Sequence, residues 1–129
     1  MCIDFGGSVV KVARSEGGVP VAERSGPAPE YLADLARVAQ MLAAVRGDAV
    51  VTSAGVALPG IVDAGVGGLV GVGGKYGDFD RFDMRAWVAE QLGLPRERVA
   101  LENDARAALV GELFAGCAQD VSDAVLLIV

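Results

Sequence analysis

The opening of the chain constrains its fold more than any later stretch. Residues 2–5, 9–13 and 19–24 are short runs rich in β-branched and apolar side chains. Gly6-Gly7-Ser8 divides the first run from the second, and residues 15–18, ending in Gly17-Gly18, divide the second from the third. Strands this short, joined by tight glycine turns, pair with their immediate neighbours. They predict a three-stranded antiparallel meander. Pro20 brings no N–H to a ladder, so the third strand belongs at a sheet edge.

The rhythm then changes. Gly26-Pro27-Ala28-Pro29 breaks the strand pattern, and over residues 30–45 apolar side chains recur at helical spacing (Leu32, Leu35, Ala36, Ala39, Leu42, Ala43), with Gly47 placed to stop the helix. Residues 49–58 read as an apolar strand covered on both faces, ended by Pro59-Gly60. Six glycines among small side chains make residues 61–74 short strands and loops. A helix over 83–92 ends at Gly93 with Pro95 beyond it, a short strand covers 99–101, a helix over 103–115 closes at Gly116, and residues 124–129 read as a last apolar strand. Strands alternating with helices give an α/β sheet. A meander running into a parallel sheet predicts a ribonuclease-H-like, actin-like ATPase domain with flanking helices. Residues 1–129 are expected to be one lobe, cut before a second one. The apolar last strand would then expose surface that favours self-association.

Composition narrows the partners. Hydrophobic residues make up 53% of the 129 and aromatics 5%, so the core must come mainly from Ala, Val, Leu and Ile. The net charge is −6 and no basic cluster exists, which argues against nucleic acid and anionic membrane and leaves a small ligand or another protein. The chain has no histidine, and Cys2 and Cys117 lie far apart, so no zinc site is expected and both thiols are expected to be reduced and buried. No signal peptide precedes the first strand and no apolar run reaches the roughly 18 residues of a membrane span, so the expected location is the cytoplasm.

Three motifs carry chemistry. In Asp4-Phe5-Gly6-Gly7-Ser8 the glycine turn lets backbone approach a ligand, and its amides with the Ser8 hydroxyl suit phosphate oxygens. Asp4, at the strand end, suits Mg²⁺ held through water. In Glu102-Asn103-Asp104-Ala105 a strand runs into a helix whose positive end favours negative charge, so a carboxylate there can take a proton from a hydroxyl. In isolation the same residues read as an ordinary helix cap. The third motif, Gly55 to Asp63, places Gly60 in a Pro-Gly turn that, taken alone, is only a turn.

Taken together, in this order and spacing, the three motifs resemble the ROK family of bacterial sugar kinases and sugar-responsive repressors, and the resemblance covers essentially the whole chain. It implies that Asp104 is the catalytic base, that Asn103 and Gly60 contact the sugar with Asp104, and that Asp4 positions Mg²⁺. It further implies that Gly6, Gly7 and Ser8 lie near the transferred phosphate of ATP. Departures exist. Val9 follows Ser8 where the family often has Lys or Asn, with Lys11 two places on. That spacing looks like the polyphosphate-using glucokinases, so Lys11 joins the phosphate-side residues and polyphosphate stands beside ATP as a donor. The loop of residues 73–79 replaces an Asn-containing loop near the sugar.

The activity this implies is phosphoryl transfer to the terminal hydroxyl of a hexose or N-acetylhexosamine, with the chain alone inactive for want of the second lobe. The alternatives are a non-catalytic sugar-binding regulator and an assembly module that pairs with another polypeptide. A homo-oligomer is compatible with each.

Overall fold

The computed structural model describes residues 1–127. Strands β1 (Cys2–Phe5), β2 (Val9–Glu16) and β3 (Val19–Pro27) form the meander. Helix α1 (Leu35–Arg46), preceded by a 3-10 turn at Leu32–Asp34, leads to β4 (Ala54–Leu58). The hairpin β5 (Ile61–Asp63) and β6 (Gly68–Val70), a 3-10 segment at Gly74–Phe79, α2 (Met84–Leu92), β7 (Val99–Asn103) and α3 (Asp104–Ala115) follow. The main sheet runs β3-β2-β1-β4-β7, antiparallel across the meander and parallel from β1 through β4 to β7. This is the expected mixed α/β sheet, with β3 at the edge that Pro20 required.

One face of the sheet carries the core. Ile3, Phe5, Val10, Val12, Val56, Leu58 and Val99 are buried against Leu35, Val38, Leu42 and Val45 of α1 and Met84, Val88 and Leu92 of α2. The alternate residues face the other way. There Cys2, Ala13, Gly55, Ala57 and Ala100 line a shallow depression of about 420 Å³, with Ala107 of α3 at its side. Phe5 is fully buried at the last position of β1. It anchors the strand whose end delivers Gly6, and truncating such a side chain to Ala costs about 3–5 kcal/mol.

The structure moves several boundaries. β4 begins at Ala54, not at residue 49, because a parallel strand needs a partner and β1 offers one only from Cys2, which aligns with Gly55. Upstream of it, Ser53 meets only the terminal amine of Met1, at 2.8 Å. β2 and β3 run further than the hydrophobic pattern suggested. Gly17 and Gly18 both take positive φ (58° and 86°), so a two-residue turn lets pairing continue from Glu16 to Val19. Residues 124–127 form no strand and pair with no other described residue, although β7 lies at the sheet edge, and Val125 and Leu127 lie open to solvent. The remainder of that expected strand, residues 128–129, lies outside the described residues.

The thiols also differ from expectation. Cys2 and Cys117 are free and exposed. Alternation along β1 sends Ile3 into the core and Cys2 to the face with the depression, while Cys117 follows α3 in an open loop.

Candidate functional site

β1, β4 and β7 are parallel neighbours, so their carboxyl ends emerge together. Asp4 aligns with Ala57, and Leu58 with Asn103. Ligands of open α/β sheets bind at that edge. It gathers the turn after β1 (Gly6 to Ser8), the turn after β4 (Pro59-Gly60) and the start of α3, which are the three motifs of the sequence.

Asn103 organises the β7–α3 junction. Its Oδ1 accepts from the Arg106 amide at 3.1 Å and caps α3. Its Nδ2 donates to the Gly60 carbonyl at 3.0 Å and to Asp104 Oδ1 at 3.0 Å. Its backbone N–H donates to Glu102 Oε1 at 2.8 Å. The second and third motifs are thereby tied together. Gly60 takes φ of 116°, a conformation that side chains other than glycine rarely adopt, and this lets its carbonyl face Asn103.

With Asn103 as the cap, Asp104 is released from that duty. Its Oδ1 accepts from Asn103 Nδ2 and from the Ala105 amide at 2.8 Å. Its Oδ2 takes no hydrogen bond from the described residues. One oxygen is fixed and the other is open, an arrangement in which a carboxylate can accept a proton.

At the end of β1, Gly6 donates to the Val9 carbonyl at 3.0 Å, and a Cβ on Gly6 would sit 2.8 Å from that oxygen, so the turn demands glycine there. A Cβ on Gly7 would meet nothing within 4 Å, and its φ is not positive. The fold does not require Gly7, and its bareness leaves room for a ligand. Ser8 is exposed, and its carbonyl accepts from the Ala28 amide at 3.0 Å. Asp4 is half-buried and enters no hydrogen bond or ion pair among the described residues. Lys11 stands directly across from Asp4 on β2, on the sheet face with the depression, not over the glycine turn.

Two residues of this edge were not singled out as site residues by the sequence. Tyr76 Oη donates to the Gly6 carbonyl at 2.8 Å, and Lys75 Nζ donates to the Gly7 carbonyl at 2.9 Å. Burial pushes the Tyr76 phenol up to about 12, and the Asp4 and Asp104 charges add to the rise. Tyr76 thus lies within electrostatic reach of both carboxylates and stays a donor at neutral pH. The available signal was a large aromatic amid Gly73, Gly74 and Gly77, whose hydroxyl needs a partner once its ring is buried.

The mixed sheet recurs in solved structures, and part of the sequence recurs in curated proteins. A β-glucoside kinase of Listeria monocytogenes is 41% identical over 73 residues, covering 57% of this chain and 24% of the kinase. The solved structure of a candidate N-acetylmannosamine kinase from Listeria monocytogenes superposes with a TM-score of 0.76 at 31% identity, covering 95% of this chain and 40% of that one. A ROK family glucokinase from Streptomyces griseus, solved with glucose and AMPPNP, shares the fold at a TM-score of 0.75 and 23% identity, over 92% of this chain and 37% of that one. The chain therefore spans well under half the length of these relatives. The ROK family model matches residues 1–129. On that match, and on a sheet that carries the family's actin-like arrangement, the chain belongs to the ROK family.

Proposed function

We propose that this chain is the N-terminal lobe of a sugar kinase that transfers a phosphoryl group from ATP to the terminal hydroxyl of a hexose or N-acetylhexosamine. The observation that carries the reading is the Asp104 carboxylate, with Oδ1 held by Asn103 and Ala105 and Oδ2 left open, on the sheet edge that also bears the bare Gly7 turn. Asp104 Oδ2 takes the proton of the hydroxyl as its oxygen attacks the γ-phosphorus, and the bond from that phosphorus to the bridging oxygen of the departing ADP breaks. Asn103 and Gly60 hold the sugar beside Asp104. The amides of Gly7 and Ser8, with the Ser8 hydroxyl, receive phosphate oxygens. Gly6 shapes the turn. Positioning supplies most of the rate in such a transfer, and the base contributes about 10²–10⁴-fold.

Asp4 fits Mg²⁺ as a single carboxylate without a protein partner. Among the described residues no group of three or more acidic, Cys or His side chains is placed to hold a metal. That suits an ion that keeps most of its waters and shares the substrate's phosphates. When bound, Mg²⁺ neutralises phosphate charge. Lys11, beside Asp4, adds a cation on the same face, and with it polyphosphate remains a second donor to test. The lobe alone is inactive, because closure of two lobes is what excludes water from such a reaction. No helix among the described residues is long and apolar enough to cross a membrane.

The test is a coupled phosphoryl-transfer assay on the full-length protein with Mg²⁺, ATP or polyphosphate, and a panel of hexoses, N-acetylhexosamines and β-glucosides. Turnover on one of these sugars is the expected result. Sugar binding without turnover on any of them would replace this reading with that of a regulator.

A further inference from the structure

The glycine turn that faces phosphate is held from outside. Gly6 and Gly7 have no side chains of their own to fix their peptide planes, and a Gly-Gly sequence is the least constrained backbone a chain can have. Two consecutive carbonyls of this turn are nevertheless engaged by one distant segment. Tyr76 Oη donates to the Gly6 oxygen at 2.8 Å and Lys75 Nζ to the Gly7 oxygen at 2.9 Å, across sequence separations of 70 and 68 residues. In a trans peptide the C=O of one residue points opposite to the N–H of the next, and the described residues contain no cis bond. Drawing both carbonyls toward residues 75 and 76 therefore turns the Gly7 and Ser8 amides away from that segment. Among the described residues neither amide donates a hydrogen bond.

Tyr76 is itself packed into the core. Tyr76 is 5% exposed and Phe79 1%. The Tyr76 ring meets the Phe79 ring edge-on at 5.5 Å, and Phe79 meets Phe82 in the same way at 6.2 Å. A packed aromatic row, continuous with the core, carries the hydroxyl, so Tyr76 imposes a conformation on the glycines rather than following theirs. Lys75 reaches its carbonyl from the surface, with Glu30 4.0 Å away to orient the ammonium.

We propose that Tyr76, assisted by Lys75, is a positioning residue for phosphoryl transfer: it latches the Gly6-Gly7 turn so that the Gly7 and Ser8 amides are presented together to the donor's phosphate. This rests on the kinase reading. It adds that the segment on the sugar side of the cleft sets the geometry of the phosphate side, so that the loop of residues 73–79 does not serve sugar contact alone.

Tyr76→Phe tests it, because the ring and its packing remain and only the hydroxyl is lost. In the full-length protein kcat is expected to fall and KM for the phosphate donor to rise, each by about tenfold, with KM for the sugar unchanged. Lys75→Met is expected to give the same pattern more weakly. A lowered Tm with unchanged kcat and donor KM would overturn the proposal and leave Tyr76 a structural residue. A second readout needs no turnover and separates failure of the latch from failure of the kinase reading. Amide ¹⁵N relaxation should show Gly7 and Ser8 ordered in the wild type and mobile in Tyr76→Phe. Equal order in both would overturn the latch whatever the enzyme assay shows, whereas loss of order in a protein without kinase activity would keep the latch and refute the kinase.

Discussion

Two helices of this domain begin at acidic residues, and the two beginnings are used differently. Asp83 caps α2: its Oδ1 accepts from the Ala86 amide at 2.9 Å, and its Oδ2 pairs with the Arg96 guanidinium. Both oxygens are engaged, one by the helix cap and one by the ion pair. At the start of α3 the cap is Asn103, a neutral amide, and the adjoining Asp104 keeps its Oδ2 open. In sequence the two sites are equivalent, an acidic residue before an apolar-periodic run. What separates them is where the hydrogen bonds fall: each carboxylate accepts two, but Asp83 takes one on each oxygen, in a cap and an ion pair, whereas Asp104 takes both on Oδ1 and keeps Oδ2 open at a strand edge.

The sharpest way to break the comparison is to neutralise each carboxylate. Asp104→Asn preserves the acceptor for Ala105 and removes the base, so kcat should fall by about 10²–10⁴-fold. Stability should change by less than about 1 kcal/mol, the value of a charge at a helix N-terminus. Steady-state kinetics with a urea melt would read both. If activity survived, Asp104 would be no more than a neighbour of the cap.

Asn103→Asp makes the α3 start resemble that of α2. A carboxylate can still cap Arg106, but it cannot donate to Gly60 or to Asp104, and it sets a second negative charge beside the first. We expect KM for the sugar to rise by about tenfold or more, while the cap keeps the melt near that of the wild type. A large loss of stability instead would mean that the Gly60 tether belongs to the fold and not to the site.

How much of this was legible follows from the range of the interactions. The meander, the edge position of β3 and the two helix starts depend on neighbours in sequence, and local pattern carried them. The start of β4 depended on where β1 begins, more than fifty positions away, and pattern alone overextended it to residue 49. Residues 124–127 are as apolar as a central strand, but apolarity alone did not bring them onto the edge strand β7. That Asp4, Gly6, Gly7, Ser8, Gly60, Asn103 and Asp104 lie at or near strand ends was legible, because motif and strand end coincide; their roles belong to the proposal. Lys11 was placed on the phosphate side by the resemblance, and register sets it beside Asp4. Tyr76 and Lys75 escaped because their partners are carbonyls of a turn near the other end of the domain, and a backbone acceptor leaves no mark on a sequence.

Removing the Asp83 carboxylate should spare chemistry. Asp83→Ala loses the α2 cap and the Arg96 pair, at a cost of about 1 kcal/mol. The kinetic constants should stay at wild-type values, because α2 covers the core face and not the strand ends. Activity lost in step with stability would show that α2 communicates with the cleft.

The smallest effect is in acid. Burial works to raise the Asp83 carboxyl, but the Arg96 hydrogen bond, the Ala86 amide and the charges of Arg96 and Arg85 together outweigh it and hold the group below its ordinary 3.8. The folded state therefore binds this proton more weakly than the unfolded chain. Its contribution is complete above 3.8 and is lost as pH falls through the folded value. Asp83 is 41% exposed, so solvent screens the pair and the contribution is modest. Urea midpoints measured from pH 5 down to 3 should fall more steeply for the wild type than for Asp83→Asn, which keeps the cap acceptor and has no proton to gain. Parallel curves would mean that the helix is held by its apolar face alone and that the ion pair with Arg96 adds nothing, in which case the contrast between the two acidic helix starts would rest entirely on the open oxygen of Asp104.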